Sequence, residues 1–194
     1  MYSRIFIIAS SVWFFDEFGG ADKIATDLAI ALARKGHRVH YIGAHSLTDV
    51  SSPSTEQGVQ VWRYLKPQKN TRGGSLTNFF YHLWKIRAIL KIIYSSESSD
   101  NVYILNGHGA LQQLGLILGS LKKERALKVF SVHSPAAEEY LAGAASANMG
   151  FKETIVAWLL RRMENYCYRR SDVVQCFSAY TASLIKKNSK NHLK

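Results

Sequence analysis

Cysteine is nearly absent from this chain: among 194 residues only Cys167 and Cys176 carry a thiol. They are not spaced as C-x-x-C, and two thiols build neither a disulfide framework nor a zinc site, so a reducing cytoplasm is expected. Acidic residues are scarce beside basic ones, 14 Asp and Glu against 25 Lys and Arg, leaving a formal charge of +11. Such an imbalance favours an anionic partner: nucleic acid, an anionic membrane surface or a phosphate-bearing substrate. Nothing reads as a transmembrane segment, which needs about 20 consecutive, predominantly apolar residues. The apolar run from Ile5 to Phe15 follows Arg4 as a signal-peptide core would, yet no small-residue cleavage site comes after it. There is no G-x-G-x-x-G and no Walker A, which disfavours a dinucleotide cofactor or a P-loop. No Asp-x-Asp is present to hold a metal. No aromatic RNA-binding strand, helix-turn-helix or zinc pattern accompanies the basic charge, so nucleic acid is not the expected partner.

What is present is an alternation of strands and helices. The chain is 47% hydrophobic and 20% charged, enough for one core and a single domain over residues 1–194. Arg4 to Ser10 is a continuous apolar run, as a central parallel strand covered on both faces requires. A loop closing on Gly19-Gly20 leads into a helix with Ile24, Leu28, Ala31 and Leu32 on one stripe. Arg34 and Lys35 sit in its last turn and Gly36 stops it, with His37 as a cap. Arg38 to Ile42 is the next strand, completing a βαβ unit. Further strands are expected at 59–64, 102–105, 129–133 and 173–177, and helices at 76–94, 111–121, 151–170 and 180–187. The polar segments 46–58 and 66–75 read as loops. The pattern predicts an α/β, Rossmann-like domain with a mostly parallel sheet and ligands at the carboxyl ends of the strands.

Two adjacent glycines before a helix let backbone N–H groups approach a phosphate, where the helix dipole adds partial positive charge. The segment from Gly19 to Ile42, with Gly-Gly, an amphipathic helix and Gly36-His37-Arg38-Val39 opening the next strand, resembles the opening signature of family 4 glycosyltransferases. Phe130-Ser-Val-His-Ser-Pro135 resembles that family's strand ending in a histidine. Glu164 to Ser178, with Glu-x7-Asp-x-Val, resembles its last strand entry closing on a serine.

The resemblance implies the N-terminal, acceptor-side half of a GT-B fold in a retaining glycosyltransferase. Such an enzyme moves a sugar from a nucleotide-sugar donor to a lipid-linked or polysaccharide acceptor in cell-envelope glycan synthesis, lipopolysaccharide among the products. It implies no cofactor and no metal. Gly19 and Gly20 would lie against the donor diphosphate or the incoming acceptor, and Ser178 near bound substrate. His133 would be the catalytic residue, facing the transferred sugar and bonding a hydroxyl near the reacting carbon. His108, in Asn106-Gly-His-Gly109, would stand on an acceptor-side loop.

Residues 79–94 carry a further signal. Phe79, Leu83, Ile86, Leu90 and Ile93 form one apolar stripe, while Phe80, Tyr81, Trp84, Lys85, Arg87 and Lys91 interleave aromatics with cations on the other side. Such a face suits a headgroup interface, so Trp84, Lys85, Arg87 and Lys91 are candidates for peripheral contact with an anionic membrane on its cytoplasmic face. Lys66, Lys69 and Arg72 add to the basic patch.

The family's C-terminal half supplies a basic pair for the leaving diphosphate and a Glu-x7-Glu, and these 194 residues contain no Glu-x7-Glu. Expelling a nucleoside diphosphate requires preorganised positive charge. The expectation is a C-terminal GT-B half in cis or in trans, with the chain alone inactive. A non-catalytic half-domain that binds membrane or partner within a split glycosyltransferase is the alternative.

Overall fold

The structure, a computed structural model, describes residues 4–13, 15, 20–46, 52–66, 74–98, 100–121, 125–144 and 150–190. The chain runs β1 (Arg4–Val12), α1 (Gly20–Arg34), β2 (Arg38–His45), β3 (Ser54–Glu56), β4 (Val59–Leu65), α2 (Gly74–Ser96) and β5 (Val102–His108). It continues α3 (Ala110–Gly119), β6 (Ala126–Val132), α4 (Ala136–Ala144), α5 (Phe151–Arg170), β7 (Val173–Cys176) and α6 (Ala179–Lys190). The strands form one seven-stranded sheet in the order β3-β4-β2-β1-β5-β6-β7. Every pairing is parallel except β3 with β4. This is the expected α/β, Rossmann-like architecture.

Strand β1 is central because it is apolar on both faces. Ile7 pairs in register with His40 of β2 and Leu105 of β5. On one face Ile5, Ile7 and Ala9 pack with Ile86, Leu90 and Ile93 of α2 and Leu116 of α3. On the other, Ile8 packs with Ala25, Ala29 and Ile30 of α1. After β1 the chain first builds outward through β2 and β4, then returns and builds the other way through β5, β6 and β7. The order therefore reverses between β1 and β5, and ligand crevices form outside the carboxyl ends of strands at such a switch point.

Two elements escape the sequence pattern. Segment 46–58, read as loop, contains β3, which hairpins onto β4 through Gln57 and Gly58 at φ 51° and 80°. Two successive positive φ values make the tight hairpin turn whose twist matches the strands it joins. The second is α4, whose start carries Ser134, Pro135 and two first-turn acids, Glu138 and Glu139, a helix-initiation signal.

The apolar stripe of α1 is also rotated from expectation. Ile24 is 41% exposed and Ala31 is exposed, whereas Asp22, Ala25, Thr26, Ala29 and Ile30 face the sheet. Small side chains bring the helix axis close to β1, and the larger Leu28 and Leu32 then pack at the flanks. For α2 the expected stripe is observed from its second member on: Leu83, Ile86, Leu90 and Ile93 are buried, joined by Ile89, while Phe79 is half-buried.

Candidate functional site

A cleft of about 360 Å³ opens at the switch point, lined by Ser11, by Gly20, Ala21 and Asp22 of α1, by His108, Gly109, Ala110 and Gln112, and by Val132, His133, Ser134, Ala136 and Glu139. Helices in parallel crossovers run opposite to the strands, so the N-termini of α1, α3 and α4 all reach this end of the sheet. Each brings N–H groups that have no partner within the helix, and partial positive charge.

The three termini differ in what occupies them. At α4, the N–H groups of Ala136 and Ala137 donate to the buried Glu164 carboxylate at 2.5 and 3.4 Å. Burial raises the carboxyl's pKa, and those two backbone donors oppose the rise. At α1, Asp22 accepts the Ser10 hydroxyl at 2.5 Å and the Ser11 and Val12 N–H groups at 3.0 and 3.2 Å, pinning the end of β1 to the helix. At α3 no side chain caps the helix, and Gly109 starts it at φ 125°, a conformation costly for any other residue. The first turn of α3 is thus left able to receive a phosphate or sugar oxygen, and α1 places Gly20 in the same cleft.

Between them stand two histidines. His108 ends β5 rather than standing on a loop: the strand continues three residues beyond Leu105, and His108 is 3% exposed. His133 follows β6 directly. Nδ1 of His108 and Nε2 of His133 lie 2.9 Å apart, so a single proton is shared between them. Burial, aided by the neighbouring His133, lowers the His108 pKa to about 3. Burial lowers that of His133 as well, against the pull of the Asp22 charge. Both rings are neutral at pH 7. The other nitrogen of His108, Nε2, is buried without a hydrogen-bond partner.

His133 is held in place on two further sides. Its ring stacks on Phe177 at 4.4 Å and 9°. Its carbonyl accepts the Thr181 hydroxyl at 3.3 Å. The strands beneath are locked by buried polar groups: Ser131 donates to Asn106 Oδ1 at 2.8 Å, and Gln113 Oε1 accepts the Gly107 N–H at 3.1 Å. The result is a fixed, neutral imidazole pair at the mouth of a cleft, able to donate to or accept from a hydroxyl without first paying to be ordered.

Of the residues singled out from sequence, Gly20, His108 and His133 meet in this cleft. Gly19 lies outside the described residues, as do Lys69 and Arg72. Ser178 is exposed and is not among the residues lining the cleft; its hydroxyl accepts the Thr181 N–H at 3.0 Å and donates to the Thr181 hydroxyl at 2.9 Å, capping α6. The Glu-x7-Asp spacing proves to be scaffold: Glu164 caps α4, and Asp172 accepts the Lys128 N–H at 2.7 Å where β7 enters beside β6. Sequence reading missed Asp22 and Gln113, which look like ordinary helix positions until the fold turns them inward. On α2, Trp84 is 60% exposed, Arg87 and Lys91 are exposed, and Lys85 is half-buried over the Tyr81 and Trp84 rings. Among the described residues, no cluster of His, Cys, Asp or Glu could hold a metal ion, and no helix is long and apolar enough to cross a membrane.

The family model for Glycosyltransferase Family 4 matches residues 18–192, which includes every cleft residue from Gly20 to Glu139. The chain belongs to glycosyltransferase family 4. This family 4 chain shares its fold with the sucrose-phosphate synthase of Thermosynechococcus elongatus, at TM-score 0.65 and 14% identity over 95% of this chain and 45% of that one. The catalytic domain of starch synthase IV from Arabidopsis thaliana, bound to ADP and acarbose, superimposes at TM-score 0.59 and 15% identity, over 98% of this chain and 50% of that one. The chain therefore spans about half the length of these GT-B neighbours. No curated protein sequence matches it.

Proposed function

We propose that the chain is the acceptor-side half of a retaining glycosyltransferase. It takes a sugar from a nucleotide-sugar donor to a lipid-linked or polysaccharide acceptor of the cell envelope. The observation that carries this reading is the His108–His133 pair, set at 2.9 Å in a cleft where the first turns of α1 and α3 also open. A neutral His133 suits a hydrogen bond to a sugar hydroxyl near the reacting carbon. A charged imidazolium there would repel the positive charge that develops on the sugar ring as its bond to the diphosphate stretches. The Gly20 turn supplies N–H groups for a phosphate oxygen.

A site of this kind needs cationic groups facing the leaving diphosphate, and among the described residues the cleft is lined by Asp22 and Glu139 but no Lys or Arg. The reading therefore includes a donor-binding half, in cis or in trans. Peripheral contact with an anionic membrane through Trp84, Lys85, Arg87 and Lys91 would bring a lipid-linked acceptor within reach, at about 1 kcal/mol per cation.

The test is an assay of the 194 residues with nucleotide sugars and lipid acceptors, alone and with a family 4 donor-binding half fused or added. No turnover alone and turnover on completion is expected. Robust turnover by the chain alone would sink the half-site reading. Retained vesicle binding without turnover in any combination would favour the non-catalytic half-domain instead.

A further inference from the structure

Helix α5 leaves an apolar stripe uncovered. Phe151, Ile155, Trp158 and Leu159 stand at i, i+4, i+7 and i+8, and they are 83%, 42%, 53% and 51% exposed. The opposite side of the helix packs inward through Ala157, Glu164 and Cys167. Further along the exposed side the character changes: Arg162, Asn165, Tyr166 and Arg169 enclose a shallow groove of about 200 Å³. The helix thus exposes rings and aliphatics in its first half and guanidinium groups in its second.

Helix α2 repeats this arrangement. Phe80 and Trp84 are 61% and 60% exposed, and the exposed cations Arg87 and Lys91 follow them. Each helix places a cation over its exposed tryptophan: Lys85 Nζ lies 5.2 Å from the Trp84 ring, and Arg162 Cζ lies 5.0 Å from the Trp158 ring.

The topology puts both helices on one side. The crossovers from β4 to β5, β6 and β7 advance in a single direction across the sheet, so α2, α3 and α5 cover the same face. Helix α3 packs against α2 and α5, and the Arg87 stem lies beside Gly119. These helices run against the strands, so the half of each that carries its tryptophan lies toward the carboxyl ends, where the cleft opens.

Charge selects the occupant. Helix α2 contains no Asp or Glu at all. The two glutamates of α5 are turned away: Glu153 accepts the Gly150 N–H at 3.0 Å, and Glu164 is buried against α4. Among the described residues the outward face joins aromatic rings and aliphatics to an excess of cations, with Glu138 of α4 at its border paired to Arg161 at 2.9 Å, in a chain of formal charge +11. A protein partner would be expected to meet mixed charge, whereas an anionic lipid surface meets this combination well.

We propose that the outer layer α2–α3–α5 is one bilayer-contact surface. The Phe151–Leu159 stripe enters the headgroup–acyl boundary, and the groove between Arg162 and Arg169 receives phospholipid phosphates. This rests on the membrane reading of α2 and extends it to a second helix. The orientation holds the cleft mouth at the membrane, where a lipid-linked acceptor would enter.

The four tryptophans make the test direct, because Trp13 and Trp62 are 0% and 5% exposed and only Trp84 and Trp158 can meet lipid. The 194-residue chain is mixed with phosphatidylglycerol–phosphatidylcholine vesicles carrying brominated acyl chains, and tryptophan quenching is read. Trp84→Phe leaves Trp158 as the exposed reporter, and Trp158→Phe leaves Trp84. Quenching in both variants is expected. Quenching of Trp158→Phe alone overturns the α5 proposal and leaves the α2 reading standing, quenching of Trp84→Phe alone overturns the shared surface, and quenching of neither removes both. A concentration-dependent dimer that shields Trp158 without vesicles overturns it in favour of a second copy. Arg162→Gln with Arg169→Gln, checked for folding by circular dichroism, should weaken vesicle affinity by roughly 25-fold, about fivefold per cation; unchanged affinity overturns the headgroup groove.

Discussion

His108 and His133 meet across the end of the sheet, Nδ1 to Nε2 at 2.9 Å, and this bond ties the last residue of β5 to the first residue after β6. A pair of neutral imidazoles shares one proton in such a bond, and a second proton would turn one ring into a buried imidazolium and set two N–H donors against each other beneath a desolvated cleft. The site therefore depends on both rings remaining uncharged.

Acid should loosen the fold through His108. Its folded pKa is lowered to about 3 by burial and by His133, against an ordinary value of 6.5. The unfolded chain therefore binds a proton between those values that the folded chain refuses. Stability is complete above pH 6.5 and falls as pH drops below it, by up to about 1.4 kcal/mol per pH unit. Denaturant titrations at pH 7 and pH 5 should show a loss of about 2 kcal/mol assignable to this group. His108→Gln should reduce that loss; an unchanged pH slope in the variant would show that His108 protonates freely in the folded state.

Asp22 should act on both stability and the pKa of His133. Its carboxylate satisfies the Ser10 hydroxyl and the Ser11 and Val12 N–H groups. Asp22→Ala leaves three donors at the end of β1 without that acceptor, a loss of about 2–4 kcal/mol. Asp22→Asn keeps an acceptor and should cost less. Asp22 also raises the pKa of His133, so either variant should lower it further, which an NMR titration of the His133 ring would read. No movement of that titration would break the proposed link between α1 and the cleft.

Gly107 is the tightest point beneath the site. A Cβ there would lie 2.6 Å from the Gln113 Cα and 2.7 Å from its N, backbone atoms that cannot step aside. Gly107→Ala should therefore push α3 off β5, at a cost of about 3 kcal/mol or more. The expected readout is a lowered thermal midpoint together with loss of any ligand response in the cleft. A variant as stable as the parent would contradict the close helix–strand approach.

These residues also mark how much the sequence discloses. The central strands are legible because apolar runs such as Arg4 to Ser10 admit few other readings, and Gly36 and Gly109 mark turns. His133 is legible through the strand it follows. What remains hidden depends on the third dimension. Asp22 reads as an ordinary first-turn acid, and only the proximity of β1 gives it three donors. The buried face of α1 is set by small residues, so a hydrophobic count favours Ile24 and misses Ala25 and Ala29. Glu164 and Asp172 are legible as a strand-entry pattern, yet their work, each carboxylate accepting backbone N–H groups of a neighbouring element, appears only in the fold. Trp158 lies on a helix whose arginines mask its apolar stripe in any average over the whole turn.

His133 itself provides the sharpest functional test. Its ring is held flat against Phe177 at 4.4 Å, bonded to His108, and anchored through its carbonyl to Thr181. If it hydrogen-bonds the transferred sugar, its value lies in position, because an ordered partner at the reacting centre contributes mainly by not having to be arranged. With the donor-binding half supplied, His133→Ala should then lower kcat by about 10²-fold or more, with little change in acceptor KM. Phe177→Leu removes the stacking surface but keeps the imidazole, and should give a smaller loss of about tenfold. The order of the two effects is the discriminating outcome. Equal losses would make the aromatic packing, rather than the imidazole nitrogen, the feature the site requires, and a His133→Ala enzyme with full kcat would remove His133 from the chemistry altogether.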